Sequence, residues 1–185
     1  MGRWQPNARG RLEQAALELF SEQGFERTTV AEIARRAGLT ERTFFRYFAD
    51  KREVLFPSAL QEFLVSRLAD ASDAIAPIDA VAAALEAAGG MLEERRDYAR
   101  KRHAVIAAHP GLQERELIKL ASIASAMADE LRRRGVADSA ASLTAEAGIA
   151  AFRVAFDRWI KDNERDLSQL IRESLDELKT VTAGK

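Results

Sequence analysis

Cysteine is absent from the 185-residue chain, which excludes disulfides, thiolate metal sites and a cysteine nucleophile together. Histidine occurs only at His103 and His109. Six residues apart, the two fall on different sides of a helix, and no carboxylate lies between them to complete a metal site. No apolar run approaches the length of a membrane span and no charged-then-apolar secretory segment opens the chain. No membrane partner is therefore expected, and the expected location is the cytoplasm. No constellation of nucleophile, base and orienting group can be assembled, so catalysis is not expected and neither a cofactor nor a metal is called for. What remains is 47% hydrophobic and 31% charged, enough to bury a core in one or two helical domains.

Alternating strand segments are also missing, and helical periodicity runs nearly from end to end, so the expected class is all-α with about nine helices. The pattern predicts helices over about residues 8–23, 30–37, 41–48, 51–74, 78–90, 92–108, 110–134, 139–161 and 164–180. Gly24 and Gly135 read as C-terminal stops, Pro77 and Pro110 as first-turn prolines, and Asp138 or Ser139 as a cap. Asp50 with Glu53 has capping-box spacing just before Val54 and Leu55, and the long helix it would start at Lys51 would link an N-terminal head, residues 1–52, to a second domain over residues 53–185.

The most informative stretch is 28–53. Thr29 and Glu32 have capping-box spacing, and Val30, Ile33, Ala34 and Ala37 then recur on one apolar face. Gly38 supplies the left-handed residue that ends this helix, and Thr40 caps the next. Two short helices thus meet at a tight turn, the layout of a DNA-reading helix-turn-helix. On the second helix Leu39, Phe44 and Phe48 suit a core, whereas Arg42, Thr43, Phe45 and Arg46 point elsewhere. Arginine forks onto guanine, and methyl or ring surfaces meet thymine methyls, so these four suit base readout in the major groove. Thr29, Tyr47 and Lys51 are the expected phosphate contacts, Lys51 because it would sit at a helix N-terminus that itself attracts anions. A small bundle with a solvated charged face would also carry these eight residues.

Residues 9–56 settle between those readings. The segments Ala-Leu-Glu-Leu-Phe-Ser-Glu-Gln-Gly-Phe, Thr-Thr-Val-Ala-Glu-Ile-Ala and Phe-Arg-Tyr-Phe followed by Lys51 closely resemble the N-terminal domain of TetR-family transcriptional regulators. That resemblance implies DNA contacts at Thr43, Phe45, Tyr47 and Lys51, and operator-dependent positions at Glu41 and Arg42. Phe45 stands where the family often has tyrosine, so a hydroxyl contact is lost there. Glu41 would be repelled by phosphates unless it accepts from a cytosine amino group or pairs with Arg42. The resemblance implies a repressor that binds a palindromic operator as a homodimer and answers to a small-molecule effector. The alternative, an effector-independent DNA-binding activator or architectural protein, would use the same head.

Charge and apolar patterning fit that division. Residues 1–52 hold ten basic against seven acidic residues, a net of +3, which leaves −4 for the rest of a chain whose total is −1. Arg3, Arg9 and Arg11 are placed to reach the DNA backbone. Toward the end, Leu143, Ala147, Ala150, Ala151, Val154, Ala155 and Ile160 form one apolar stripe and Leu167, Leu170, Ile171, Leu175 and Leu178 another. As a pair they resemble the family's four-helix dimer interface, with Leu143, Ala147, Ala151, Val154, Leu167, Leu170, Ile171 and Leu175 as its expected residues. Residues 103–135 resemble the subset of the family whose ligands are acyl-CoA-like, which implies an effector of that class. Its expected pocket comprises Met91, Arg96, Arg100, His103, Ile106, Met127, Phe152 and Phe156, the basic members offering a face for an anion. The competing account of that face is a solvated one, paired within the helix to Glu93, Glu94 and Asp97.

Overall fold

The computed structural model describes residues 7–183, and among them the secondary structure is nine α-helices, one 3-10 turn and no strand. Arg3 of the expected backbone contacts lies outside the described residues.

Helix starts and stops follow local chemistry. Asn7, itself left-handed at φ 76°, accepts from the Gly10 N–H and caps α1 (Ala8–Gln23), which Gly24 ends at φ 87°. The capping box of Thr29 and Glu32 starts α2 (Val30–Arg36), and Thr40 caps α3 (Glu41–Tyr47). The 51–74 helix does not form. Asp50 does cap, accepting from the N–H groups of Arg52 and Glu53, but only a single 3-10 turn, Glu53–Leu55, follows. Pro57 has no N–H to continue the ladder and disfavours helical backbone at Phe56, which sits at φ −124°, ψ 58°. A new helix, α4, starts at Ala59 and runs to Ala69. The remaining helices are α5 (Pro77–Glu93), α6 (Arg96–Ala107), α7 (Pro110–Arg133), α8 (Asp138–Lys161) and α9 (Leu167–Thr182). Asp138 is the first residue of α8 rather than its cap, whereas Asp166 caps α9 by accepting from Gln169 N–H at 2.7 Å.

The chain divides into two compact units that are not contiguous in sequence: residues 1–57 with 100–116, and residues 58–99 with 117–185. The sequence reading divided the chain once, after residue 52. Residues 100–116 join the first unit through charged side chains. The Arg102 guanidinium donates to the Leu55 carbonyl at 2.7 Å and to Glu116 at 2.9 Å, Arg115 pairs with Glu53, and His109 with Glu26. None of these pairs has a local sequence signature.

In the second unit α9 packs on α8 and α5, and α5 on α8 and α4. Two glycines permit the close approach: a Cβ on Gly148 would stand 2.4 Å from Val81 Cγ1, and one on Gly89 would stand 2.9 Å from the Ser168 backbone nitrogen. This packing corrects the expected dimer surface. Leu167, Leu170, Ile171 and Leu175 are buried in the core, as is Ala151 on α8. The α9 stripe finds its partners within the monomer because α5 and α8 both lie against it. Leu143 and Val154 stay 71% and 51% exposed, and Ala150 beside them is exposed too.

Candidate nucleic-acid interface

The turn between α2 and α3 is built by three contacts. Gly38, at φ 65°, takes the left-handed conformation that lets Leu39 N–H reach back to the Ala34 carbonyl at 2.8 Å. The Thr29 backbone N–H and hydroxyl donate to Glu32 and hold its carboxyl below the usual carboxylate range, fixing the entry to α2. Arg11 on α1 donates to the carbonyls of Ala37 and Gly38, capping the end of α2 from outside. Beneath α3, Phe44 and Phe48 are buried with ring centroids 5.3 Å apart, and Leu39 is half-buried. The helix is seven residues long, too short to be stable alone, so these two phenylalanines hold it in place.

The opposite face of α3 is open. Glu41, Arg42 and Arg46 are exposed, and so are Phe45 at 55% and Tyr47 at 40%. Arg42 has no hydrogen-bonding or ionic partner among the described residues. The Thr43 hydroxyl lies 3.0 Å from that of Thr40, and Arg46 donates to the Tyr47 hydroxyl at 3.2 Å. The exposed Phe45 ring offers an apolar surface of the kind that meets a thymine methyl in the major groove.

Several cations expected to meet phosphate are engaged within the protein. Lys51 directs its ammonium at the carbonyls of Phe25, Glu26 and Thr28, at 2.8, 3.2 and 3.1 Å, and lies 4.3 Å from the centre of the Phe25 ring. All three of its hydrogens have acceptors, and the helix N-terminus expected around it is absent, so in place of the expected phosphate contact Lys51 makes a clamp between the α1–α2 loop and the segment that follows α3. Thr29 is occupied by the capping box. Arg9 pairs with Glu13 at 3.2 Å and lies 5.6 Å from the Phe48 ring centre, and Arg11 holds the turn. Sequence reasoning missed the roles of Lys51 and Arg11 because each joins residues distant in the chain: 26 positions separate Lys51 from Phe25 and Arg11 from Ala37.

The residues expected to line an effector pocket are divided between the units: Arg100, His103 and Ile106 belong to the first, the other five to the second. Within the second unit Met91 is exposed and Met127 fully buried, while Phe152 packs 5.9 Å from Phe156, whose ring is 5.4 Å from Trp159. Met127, Phe152 and Phe156 are packing positions, and Met91 is not. Arg96 donates to the carbonyls of Asp162 and Arg165 at 3.0 and 2.6 Å and to Glu93 at 3.0 Å. Glu93 also accepts from the Trp159 indole at 2.8 Å and from Leu167 N–H at 3.3 Å. Burial alone would push the Glu93 carboxyl up, but these donors outweigh it and hold the group below its ordinary range. Arg96 is thus a brace between the α5 end and the α8–α9 link. An open depression of about 510 Å³ is lined by Arg158 and residues 161–165, and none of the expected pocket residues borders it.

Comparison with known proteins bears on both units. Residues 13–56 match the tetR family of bacterial regulatory proteins, and residues 59–183 match the MftR C-terminal domain. The chain is 29% identical over 182 residues to MftR of Mycobacterium tuberculosis, named for regulating mycofactocin biosynthesis; the match covers 95% of this chain and 91% of that one. Among solved structures, SmeT of Stenotrophomonas maltophilia in complex with triclosan aligns with a TM-score of 0.63 at 22% identity, over 92% of this chain and 88% of that one. The FadR repressor of Thermus thermophilus in complex with lauroyl-CoA aligns with a TM-score of 0.54 at 22% identity, over 91% of each chain. At such identities the structural likeness is one of fold.

Proposed function

This chain belongs to the tetR family of bacterial regulatory proteins and is a transcriptional regulator, and we propose that it is a repressor that reads a palindromic operator as a homodimer and is released by an acyl-CoA-like effector. The observation that carries the DNA-reading part is the two-sided α3: Phe44 and Phe48 are buried while Arg42, Phe45, Arg46 and Tyr47 are presented to solvent, with Thr43 half-buried between the faces. In the proposed complex that face enters the major groove, and the protein acts in the cytoplasm without catalysing a reaction. One helix of this length meets only a few base pairs, so two copies on adjacent half-sites, about 34–36 Å apart, are needed for specificity.

The dimer surface we assign is the exposed face of α8. Leu143, Ala147, Ala150 and Val154 lie along one stripe of the helix, and their spacing is symmetric about a point between Ala147 and Ala150. Antiparallel pairing of two copies of α8 about a two-fold axis there sets alanine against alanine at the crossing and Leu143 against Val154 on either side. Small residues at the centre let the backbones approach, and the larger ones close the flanks.

The effector class is supported by the lauroyl-CoA held by the FadR repressor, with which this chain shares its fold. Selection of bound fragments from random duplex DNA, repeated with added lauroyl-CoA, tests the whole reading. A two-fold symmetric consensus whose recovery falls with lauroyl-CoA is expected. Uniform coating of DNA would refute specific readout, and a consensus indifferent to acyl-CoA would refute the effector.

A further inference from the structure

We propose that Arg46 and Tyr47 act as one unit that grips a single DNA backbone phosphate, so that base selection on α3 falls to Arg42 and Phe45. This rests on the reading of α3 as the DNA-contacting helix and divides the labour within it.

Neighbouring side chains on a helix diverge by about 100° and do not ordinarily face each other. Arg46 nevertheless turns back over its neighbour. Its guanidinium carbon lies 5.0 Å from the Tyr47 ring centre, and its Nη2 donates to the phenolic oxygen at 3.2 Å. The stacking and the hydrogen bond together draw the arginine head toward the C-terminal end of α3. A phenol has one hydrogen and two lone pairs; accepting from Arg46 leaves the hydrogen to be donated. Donation from a cation into the hydroxyl also polarises it and strengthens that outgoing bond. The pair therefore presents a hydroxyl hydrogen and several guanidinium N–H groups side by side, an array dominated by donors with one phenolic lone pair left among them.

A phosphodiester matches that array, since its unesterified oxygens only accept and carry the charge that a guanidinium complements. A base edge matches it poorly, because a guanidinium held against Tyr47 cannot extend into the fork that pairs with guanine. Arg42, one turn earlier, has no such tether. The Thr43 hydroxyl is already paired with Thr40. Phe45 has only a ring to offer, which suits a thymine methyl. Each half-site then has one guanidinium contact and one apolar contact to bases, and the other exposed arginine of α3 contributes affinity without sequence.

The test uses the full chain, the duplex it selects from random DNA, and an unrelated duplex, with affinities measured over a salt series. Arg46→Met should weaken binding to both duplexes by the same factor, about tenfold, and make the salt dependence shallower by about 1.8 in log–log slope, about 0.9 for each of the two protomers. Tyr47→Phe should weaken both severalfold in the wild-type background and have little further effect in Arg46→Met. Selection repeated with Arg46→Met should return the wild-type consensus, whereas Arg42→Met should lose preference at one base pair of each half-site. Arg46→Lys keeps the charge but not the stacked fork, so it should retain the salt slope and lose the coupling to Tyr47. A changed consensus for Arg46→Met, or independent effects of the two substitutions, overturns the pairing. A wild-type chain that enriches no sequence overturns the reading of α3 itself and this proposal with it. Unchanged thermal midpoints in these exposed-site variants separate lost contacts from lost fold.

Discussion

Two stretches of this chain offer arginines to an anion in the sequence, α3 with its Arg42 and Arg46, and the more basic run from Arg95 to His103. In the structure they differ in what their guanidinium groups already hold. Arg42 is open to solvent without a partner, whereas Arg96 is fastened to two carbonyls and Glu93, and Arg102 to the Leu55 carbonyl and Glu116. Lys51 and Arg11 in the reading unit are likewise engaged. A count of positive residues measures the field that steers DNA toward a surface; recognition depends on the hydrogens left to donate. By that measure the reading surface proposed for this chain is small and lies on one helix.

The largest expected effect lies on the engaged side of this comparison. Arg96→Leu would leave the carbonyls of Asp162 and Arg165 without their donor and deprive Glu93 of its cation, so urea unfolding should show a loss of about 3 kcal/mol. Arg95→Ala, at an exposed neighbour stacked on Tyr98, should stay within about 0.5 kcal/mol. Equal effects at the two positions would mean that the brace is no more than a surface contact.

Lys51→Met is next, at about 2 kcal/mol of stability, because three charge-assisted bonds and the contact with Phe25 go together. DNA affinity should fall equally on every sequence, and the slope of affinity against salt should not change. A slope shallower by about 1.8, about 0.9 for each protomer of the dimer, would show that Lys51 leaves its carbonyls to take a phosphate when DNA binds.

On the open side the effect is local to one base pair. Arg42→Ala should relax discrimination there by about 1–3 kcal/mol, with little effect on the other positions of the half-site. Competition among operators carrying single base changes would measure it, and uniform weakening across them would assign Arg42 to the backbone.

How much of this was legible beforehand varied with the range of the interaction. The capping boxes, Gly38 and the phenylalanines of α3 could be read because caps and periodicity operate within a few residues. The expected helix through residues 51–74 failed at Pro57, where a strong cap at Asp50 and an apolar pattern outweighed the proline in the reading but not in the chain. The α9 stripe showed that Leu167, Leu170, Ile171 and Leu175 must be covered but could not say by what; burial against α5 and α8 and burial in a dimer demand the same pattern. Arg96 read as a ligand group for the same reason, since a sequence displays a guanidinium without the carbonyls, 66 and 69 positions away, that occupy it.

The smallest effect comes from acid and tests whether the brace depends on charge. Glu93 sits below its ordinary value of 4.5, and Asp162, held by the Glu164 N–H and by Arg165, is lowered from 3.8 to about 2. Both are depressed in the folded state, so the folded chain releases their protons more readily than the unfolded chain does. Their contribution is complete above the unfolded values and is lost as pH falls through the folded ones. The urea midpoint should therefore hold steady down to about pH 5 and decline below it. In Glu93→Gln one carboxylate no longer titrates, and its deficit relative to wild type should be constant above that point and narrow toward pH 3. Parallel curves over the whole range would mean that shape and neutral hydrogen bonding hold the α8–α9 link to α5, and the contrast between α3 and the Arg96 brace would then be one of packing rather than charge.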